Sequence, residues 1–160
     1  RLRVHPGGVV ILTVPFASPQ NAVREFLTRQ KEWLQSAISR MMQYKALPVK
    51  GRRDYLKYKE EARMFVRRRV EYWNQLYGFK HGRISIKNTF RTWGSCSRRG
   101  NLNFSYSLLF LPQGIADYVV VHELCHLAHP NHSPAFWAEI AKTIPDFKEC
   151  RQELRRYVPH

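Results

Sequence analysis

The sequence has few cysteines, few acidic residues and no long hydrophobic run, and each shortage excludes a class of protein. Its 160 residues include three cysteines without a CxxC pair, which excludes a disulfide framework and predicts a reducing, cytoplasmic compartment. The most apolar stretch, 102–111, is broken by polar residues and falls short of the ~18 apolar residues of a transmembrane helix. Glycine patterns that bind phosphates or dinucleotides are missing as well. We therefore expect no membrane span, and a chain that begins with Arg1 indicates a fragment or a processed protein.

Basic residues outnumber acidic ones, and the excess lies mostly in one region. The chain has 27 Lys and Arg against 12 Asp and Glu, a formal net charge of +15. Residues 40–99 hold 17 of the basic side chains and 4 of the acidic ones, a net charge of +13. Such a region attracts polyanions, which predicts nucleic acid, a nucleotide or an acidic surface as partner; the alternative is a charged face that only keeps the protein soluble. The predicted anion contacts are Arg63, Arg67, Arg68 and Arg69.

Hydrophobic periodicity predicts an α+β fold in a single domain over 1–160. A hairpin and basic helical part, 1–78, precedes a part with strands and apolar helices, 79–160. In chain order we predict a hairpin over 1–15, an amphipathic helix over 18–43, a loop over 45–53, an amphipathic helix over 54–77, strands over 83–87 and 101–108, a helix over 113–128, a helix from Ser133 and a charged segment over 148–157.

An H-E-x-x-H motif, residues 122–126, lies on the predicted apolar helix. His122 and His126 are four residues apart, so both imidazoles project from one helical face and can reach one cation. Glu123 stands beside them, where a carboxylate can activate a metal-bound water. Burying these polar groups in so apolar a helix would be costly unless something pairs with them. The motif therefore predicts a zinc site with Glu123 as the general base.

A third imidazole follows the motif and would complete the ligand set. Three protein ligands and one open position are typical of catalytic zinc. His132 comes just after the helix break at Pro130, where the chain can turn back toward the metal. His129 lies on the same helical face as His126 and is the alternative third ligand. We favour His132, because three ligands from one straight helix are geometrically cramped.

The stretch from His122 to Trp137 resembles the signature of the YgjP-like metal-dependent hydrolases, which are related to the WLM and SprT-like zinc metallopeptidases. Residues 91–97 and 100–103 are similar to a second motif of that family, and the resemblance extends over nearly the whole chain. It implies a zincin-like fold with the metal helix packed under a small mixed β-sheet. It also implies that His122, His126 and His132 bind zinc and that Glu123 is the base.

These patterns together predict a zinc metallopeptidase that cleaves amide bonds in a peptide or protein substrate. A metal-dependent nucleotide or phosphoanhydride hydrolase is the alternative, because an activated water attacks phosphorus as well and the Arg and Lys side chains can bind phosphates. A nucleic-acid-associated zinc module is a third interpretation, although a purely structural site has no need for Glu123. The segment from Trp93 to Cys96 is interpreted either as a loop that shapes the substrate cleft or as a tight turn.

Overall fold

A computed structural model describes residues 1–49, 51–89 and 91–158. The elements in chain order are β1 (Leu2–Val4), β2 (Val10–Leu12), α1 (Gln20–Arg29), α2 (Lys31–Met42), β3 (Lys45–Ala46), α3 (Gly51–Tyr77), β4 (Ile84–Lys87), β5 (Gly94–Cys96), β6 (Leu102–Ser105), α4 (Gln113–Cys125), α5 (Pro134–Ala141), α6 (Phe147–Leu154) and β7 (Tyr157–Val158). They form two compact units, one of residues 1–46 and 156–158 and the other of residues 47–155. The organisation as one domain stays a prediction. No described helix has both the length and the apolar character needed to cross a bilayer.

The smaller unit contains the predicted N-terminal hairpin. β1 and β2 pair antiparallel, with Leu2 opposite Leu12, and a short 3-10 turn at Pro6–Gly8 connects them. The helix predicted over 18–43 is wrong as a continuous element, because Gln30 leaves the helical conformation and separates α1 from α2. The sequence has no apolar residue over 28–32, so packing does not hold the helix straight at that point. A short parallel pair, β3 with β7, was not predicted at all.

The larger unit confirms the α+β class. β6 lies in the middle of a three-stranded sheet, parallel to β4 and antiparallel to β5, so the sheet is mixed. The fully buried side chains include Phe104 on β6, Val66 on α3 and Phe136 on α5. Ten of the thirteen residues of α4 are buried, which makes this helix the centre of the unit.

Several predicted boundaries are corrected by the structure. The strand predicted over 101–108 ends at Ser105, where a 3-10 helix, Tyr106–Phe110, begins. The helix predicted over 54–77 begins earlier, at Gly51, inside the predicted loop over 45–53. One residue of that loop, Lys50, lies outside the described residues.

A charged pair connects α3 to α4. The Nε and Nη2 atoms of Arg69 donate to the two carboxylate oxygens of Asp117, at 2.6 and 2.8 Å. Both side chains are largely buried, with 19% and 9% exposure, so the two charges must compensate each other. Arg69, one of the predicted anion contacts, therefore has its guanidinium committed to a contact inside the unit.

Candidate metal centre

The end of α4 and the turn that follows it place three imidazoles around one point. α4 ends at Cys125, and His126 is its C-cap residue, still with helical backbone angles. Ser133 then caps α5 with its side chain, which accepts a hydrogen bond from the backbone N–H of Phe136. This cap and Pro134 start a new helix in a new direction. The residue just before the cap, His132, thereby returns to the face of His122 and His126.

The nitrogen atoms of these three side chains converge. The Nε2 atom of His122 lies 3.2 Å from Nε2 of His126 and 3.1 Å from Nε2 of His132. One ligand atom from each of the three residues falls within 4.8 Å of the other two. Four-coordinate zinc with bonds of about 2.0–2.1 Å places its ligand nitrogens roughly 3.3–3.4 Å apart. The two distances from His122 are close to this spacing, so the three imidazoles form a candidate site for a single ion with a further position open.

Hydrogen bonding at the opposite ring nitrogen sets the tautomer of His126. Its Nδ1 lies 3.0 Å from the carbonyl oxygen of His129, and a carbonyl can only accept, so Nδ1 carries the hydrogen. The lone pair of His126 is then on Nε2, which points to the cluster. His129 thus contacts the site through its backbone, and its ring is not part of the three-imidazole group.

Two aromatic rings pack against the three imidazoles. The fully buried Phe136 has its ring centroid 4.6–4.9 Å from the centroids of all three imidazoles. Trp137 stacks on His132 at 5.5 Å, and the guanidinium of Arg151 lies 5.0 Å from the ring centroid of the same indole. The rings restrict how the imidazoles can rotate. Phe136 and Trp137 follow ordinary helical spacing, so the sequence alone does not distinguish them from core residues.

Burial shifts the pKa values of the two polar groups on α4. Desolvation, together with the neighbouring His126 and His132, lowers the pKa of His122 to about 3, so its ring is neutral and can act as a ligand near neutral pH. Desolvation alone raises the pKa of Glu123 to about 8. Within the described part of the chain, no side chain donates a hydrogen bond to this carboxylate. A positive charge close by would lower that pKa again.

Gly94 on β5 lies directly against the carboxylate of Glu123. A Cβ atom at position 94 would lie 2.6 Å from Cγ, 2.9 Å from Cδ and 2.7 Å from Oε1 of Glu123. These distances are shorter than any normal contact, so only glycine leaves room for the side chain as it stands. The segment from Trp93 to Cys96 was interpreted either as a loop that shapes the cleft or as a tight turn. The structure supports a position beside the candidate metal centre, but residues Gly94–Cys96 form an edge strand there instead of a loop.

A cleft of about 890 Å³ opens over the imidazoles. Its walls include β5, the turn after β5 and the loop over 130–132. Three basic side chains, Lys80, Arg98 and Arg99, line it together with Glu123. Sequence reasoning missed these three, because 22 residues lie between Arg99 and His122 and nothing local connects them.

The predicted anion contacts on α3 do not reach this cleft. Arg63 pairs with Glu60 at 2.6 Å, and Arg69 pairs with Asp117. Arg67 and Arg68 are exposed, and none of the four lines the cleft. Their contact with nucleic acid stays a prediction.

A central helix with two imidazoles and a buried carboxylate, a third imidazole after a turn and a small mixed sheet alongside define an α+β zincin-like domain. The sequence profile described as "YgjP-like, metallopeptidase domain" matches residues 49–157. This match covers more than half of the chain, and the chain belongs to the YgjP-like metallopeptidase family.

Comparison with solved structures supports the same fold. The crystal structure of the metallopeptidase zymogen of Pyrococcus abyssi abylysin superposes with a TM-score of 0.52 and 24% sequence identity. The match covers 56% of this chain and 90% of that one. No curated protein matches the chain. The predicted zincin-like fold and the predicted family are confirmed.

Proposed function

We propose that the protein is a zinc-dependent metallopeptidase in which His122, His126 and His132 bind the metal and Glu123 is the general base. The observation that carries this proposal is the convergence of three Nε2 atoms next to a buried carboxylate. Three neutral imidazoles are ligands that suit zinc, and they leave a fourth position for water or substrate. When bound, Zn²⁺ would supply Lewis acidity that lowers the pKa of a water and polarises a carbonyl oxygen.

Glu123 moves the proton in this mechanism. Its carboxylate takes a proton from the attacking water and returns it to the leaving amine, so that one group serves as base and then as acid. α4 holds the carboxylate next to the ligand His122, and β5 limits its position through Gly94. Glu123 is only 6% exposed, so little bulk water reaches its carboxylate.

β5 supplies a place for the peptide backbone. It pairs with β6 on one side only and is an edge of the described sheet. Gly94, Ser95 and Cys96 also line the cleft. An extended peptide can add to such an edge through main-chain hydrogen bonds, which align the scissile carbonyl without reading the side chains. This arrangement supports a peptide or protein substrate.

One observation favours the second candidate, a nucleotide or phosphoanhydride hydrolase. Lys80, Arg98 and Arg99 line the same cleft, and guanidinium groups bind phosphates with two parallel hydrogen bonds. The two candidates share the metal and the base but differ in the atom that is attacked.

Hydrolysis before and after metal removal tests the proposed function. We expect the protein to cleave members of a peptide panel, to lose about 90% or more of the rate in a chelator, and to regain it with zinc, because Lewis acidity comes only from the metal. A nucleoside triphosphate panel is run in parallel by the release of phosphate or pyrophosphate. Chelator-sensitive turnover of nucleotides alone would replace the peptidase with the second candidate, and peptide cleavage that is insensitive to the chelator would contradict both.

A further inference from the structure

The cleft over the imidazoles has a strongly basic wall. We use this name for Lys80, Arg98 and Arg99, whose side chains are all exposed. In the described part of the chain none of them has an ion pair or a side-chain hydrogen bond, and Glu123 is the single acidic residue among those that line the cleft. Three positive charges thus face the space where a substrate would lie.

The turn that carries the two arginines is held together by hydrogen bonds between its own residues. The backbone N–H of Ser97 donates to the carbonyl of Asn101 at 2.9 Å, and the N–H of Gly100 donates to the carbonyl of Ser97 at 2.8 Å. The N–H of Asn101 donates to Oγ of Ser97 at 3.0 Å. Gly100 has a φ of +71°, which is a conformation that favours glycine. Three hydrogen bonds therefore hold Arg98 and Arg99 at the tip of a tight turn.

The same turn is also held against the rest of the unit. The N–H of Gly82 donates to the carbonyl of Gly100 at 2.8 Å, and the N–H of Arg83 donates to Oδ1 of Asn101 at 2.9 Å. A Cβ on Gly100 would lie 3.3 Å from Cδ2 of Leu127, which follows the H-E-x-x-H motif by one residue. The segment after Lys80 and the turn of the two arginines are thus joined to each other, and the turn packs beside the metal centre. The backbone that carries Arg98 and Arg99 is therefore fixed beside the candidate metal centre.

We propose that the basic wall is a specificity site that binds an anionic group of the substrate next to the reacting bond. In a peptide this group is the carboxylate of an Asp or Glu side chain, and this assignment rests on the proposed function. Phosphate offers the same chemistry, since arginine binds carboxylates and phosphates in the same two-pronged geometry. The observations favour the acidic peptide, because the chain belongs to a metallopeptidase family and β5 offers an edge for a peptide backbone.

Turnover of paired peptides tests the proposal. Each pair has Glu or Gln at one position and is otherwise identical. We expect the wild type to prefer at least one Glu peptide by about tenfold to a hundredfold in kcat/KM, the range given by charge-assisted hydrogen bonds. The variant with Lys80→Gln, Arg98→Gln and Arg99→Gln should lose this preference, so that its kcat/KM for the Glu peptide falls to its value for the Gln peptide. An unchanged preference in this variant would overturn the proposal.

A matched control separates the wall from the overall charge of the protein. The variant with Arg24→Gln, Lys31→Gln and Arg40→Gln also removes three exposed positive charges, but from α1 and α2. It should keep the preference for Glu. An equal loss in both variants would show that net charge attracts the peptide and would overturn a specific site.

Binding without turnover separates this proposal from the proposed function. In Glu123→Gln protein, the Kd values of the paired Glu and Gln peptides and that of inorganic tripolyphosphate are measured by calorimetry, with the basic wall intact and with its three residues replaced by Gln. Weaker binding of the Glu peptide after removal of the wall supports the proposal even if the wild type cleaves no peptide at all. Tripolyphosphate binding that depends on the wall, without peptide binding, would reject the acidic peptide in favour of a phosphate ligand. Binding that is the same with and without the wall would overturn the site for both.

Discussion

We expect Glu123→Gln to lower kcat/KM for peptide hydrolysis by about 10²–10⁴-fold, the usual contribution of a general acid or base. The amide cannot accept the proton from the water, although it has the same shape as the carboxylate. Zinc content should stay the same as in the wild type, because the metal is assigned to the three imidazoles. Zinc analysis and steady-state kinetics on the same preparation measure the two quantities.

Stability gives this variant a second, independent signature. Burial raises the pKa of Glu123 to about 8, which means that the folded protein disfavours the ionised form. In metal-free protein the neutral Gln should therefore be tolerated at least as well as Glu, and the melting temperature should not fall. Glu71→Gln, which removes an exposed carboxylate from α3, is the control and should change neither property. A loss of zinc or of stability in Glu123→Gln, with the rate per bound zinc unchanged, would contradict the role as base.

Gly94→Ala should lower kcat/KM by about a hundredfold, because displacement of a catalytic group by about 1 Å costs that much. The new Cβ would lie 2.6–2.9 Å from three atoms of Glu123 in the present geometry, so one of the two must move. β5 cannot shift freely, since Gly94 is opposite Phe104, which is fully buried on β6. The carboxylate is the part that moves, and it leaves its place beside the imidazoles.

A second alanine variant controls for the loss of a glycine as such. Gly114 lies in the first turn of α4, and a Cβ there would meet no atom within 4 Å beyond its chain neighbours and the backbone of its own helix. Gly114→Ala should keep the full rate, and both variants should keep their zinc. Wild-type kinetics for Gly94→Ala would show that the contact between β5 and Glu123 does not position the base.

The metal motif was predictable because its geometry is local. The four-residue spacing of His122 and His126 follows from the helical repeat, and the break at Pro130 explains how His132 can return. The α+β class was equally accessible, since the hydrophobic period changes from helical to alternating near residue 83.

The parts that were missed depend on contacts between distant segments. β5 consists of Gly94, Ser95 and Cys96, which show neither alternation nor β-branched side chains, so only its pairing with β6 makes it a strand. β3 and β7 are two residues each and lie more than a hundred residues apart in the chain. Arg69 has the spacing of a surface cation on α3, and its partner Asp117 lies 48 residues away. A pattern within one segment contains no information about such partners.

Zinc content measured for three versions of the chain tests the metal centre most directly. Elemental analysis of protein purified without chelators should find about one zinc per chain in the wild type and near zero in His132→Ala, because two imidazoles hold the ion poorly. His129→Ala keeps the backbone carbonyl that orients His126 and should retain its zinc. Zinc retained by His132→Ala and lost from His129→Ala, or no transition metal in the wild type, would contradict the three-imidazole centre.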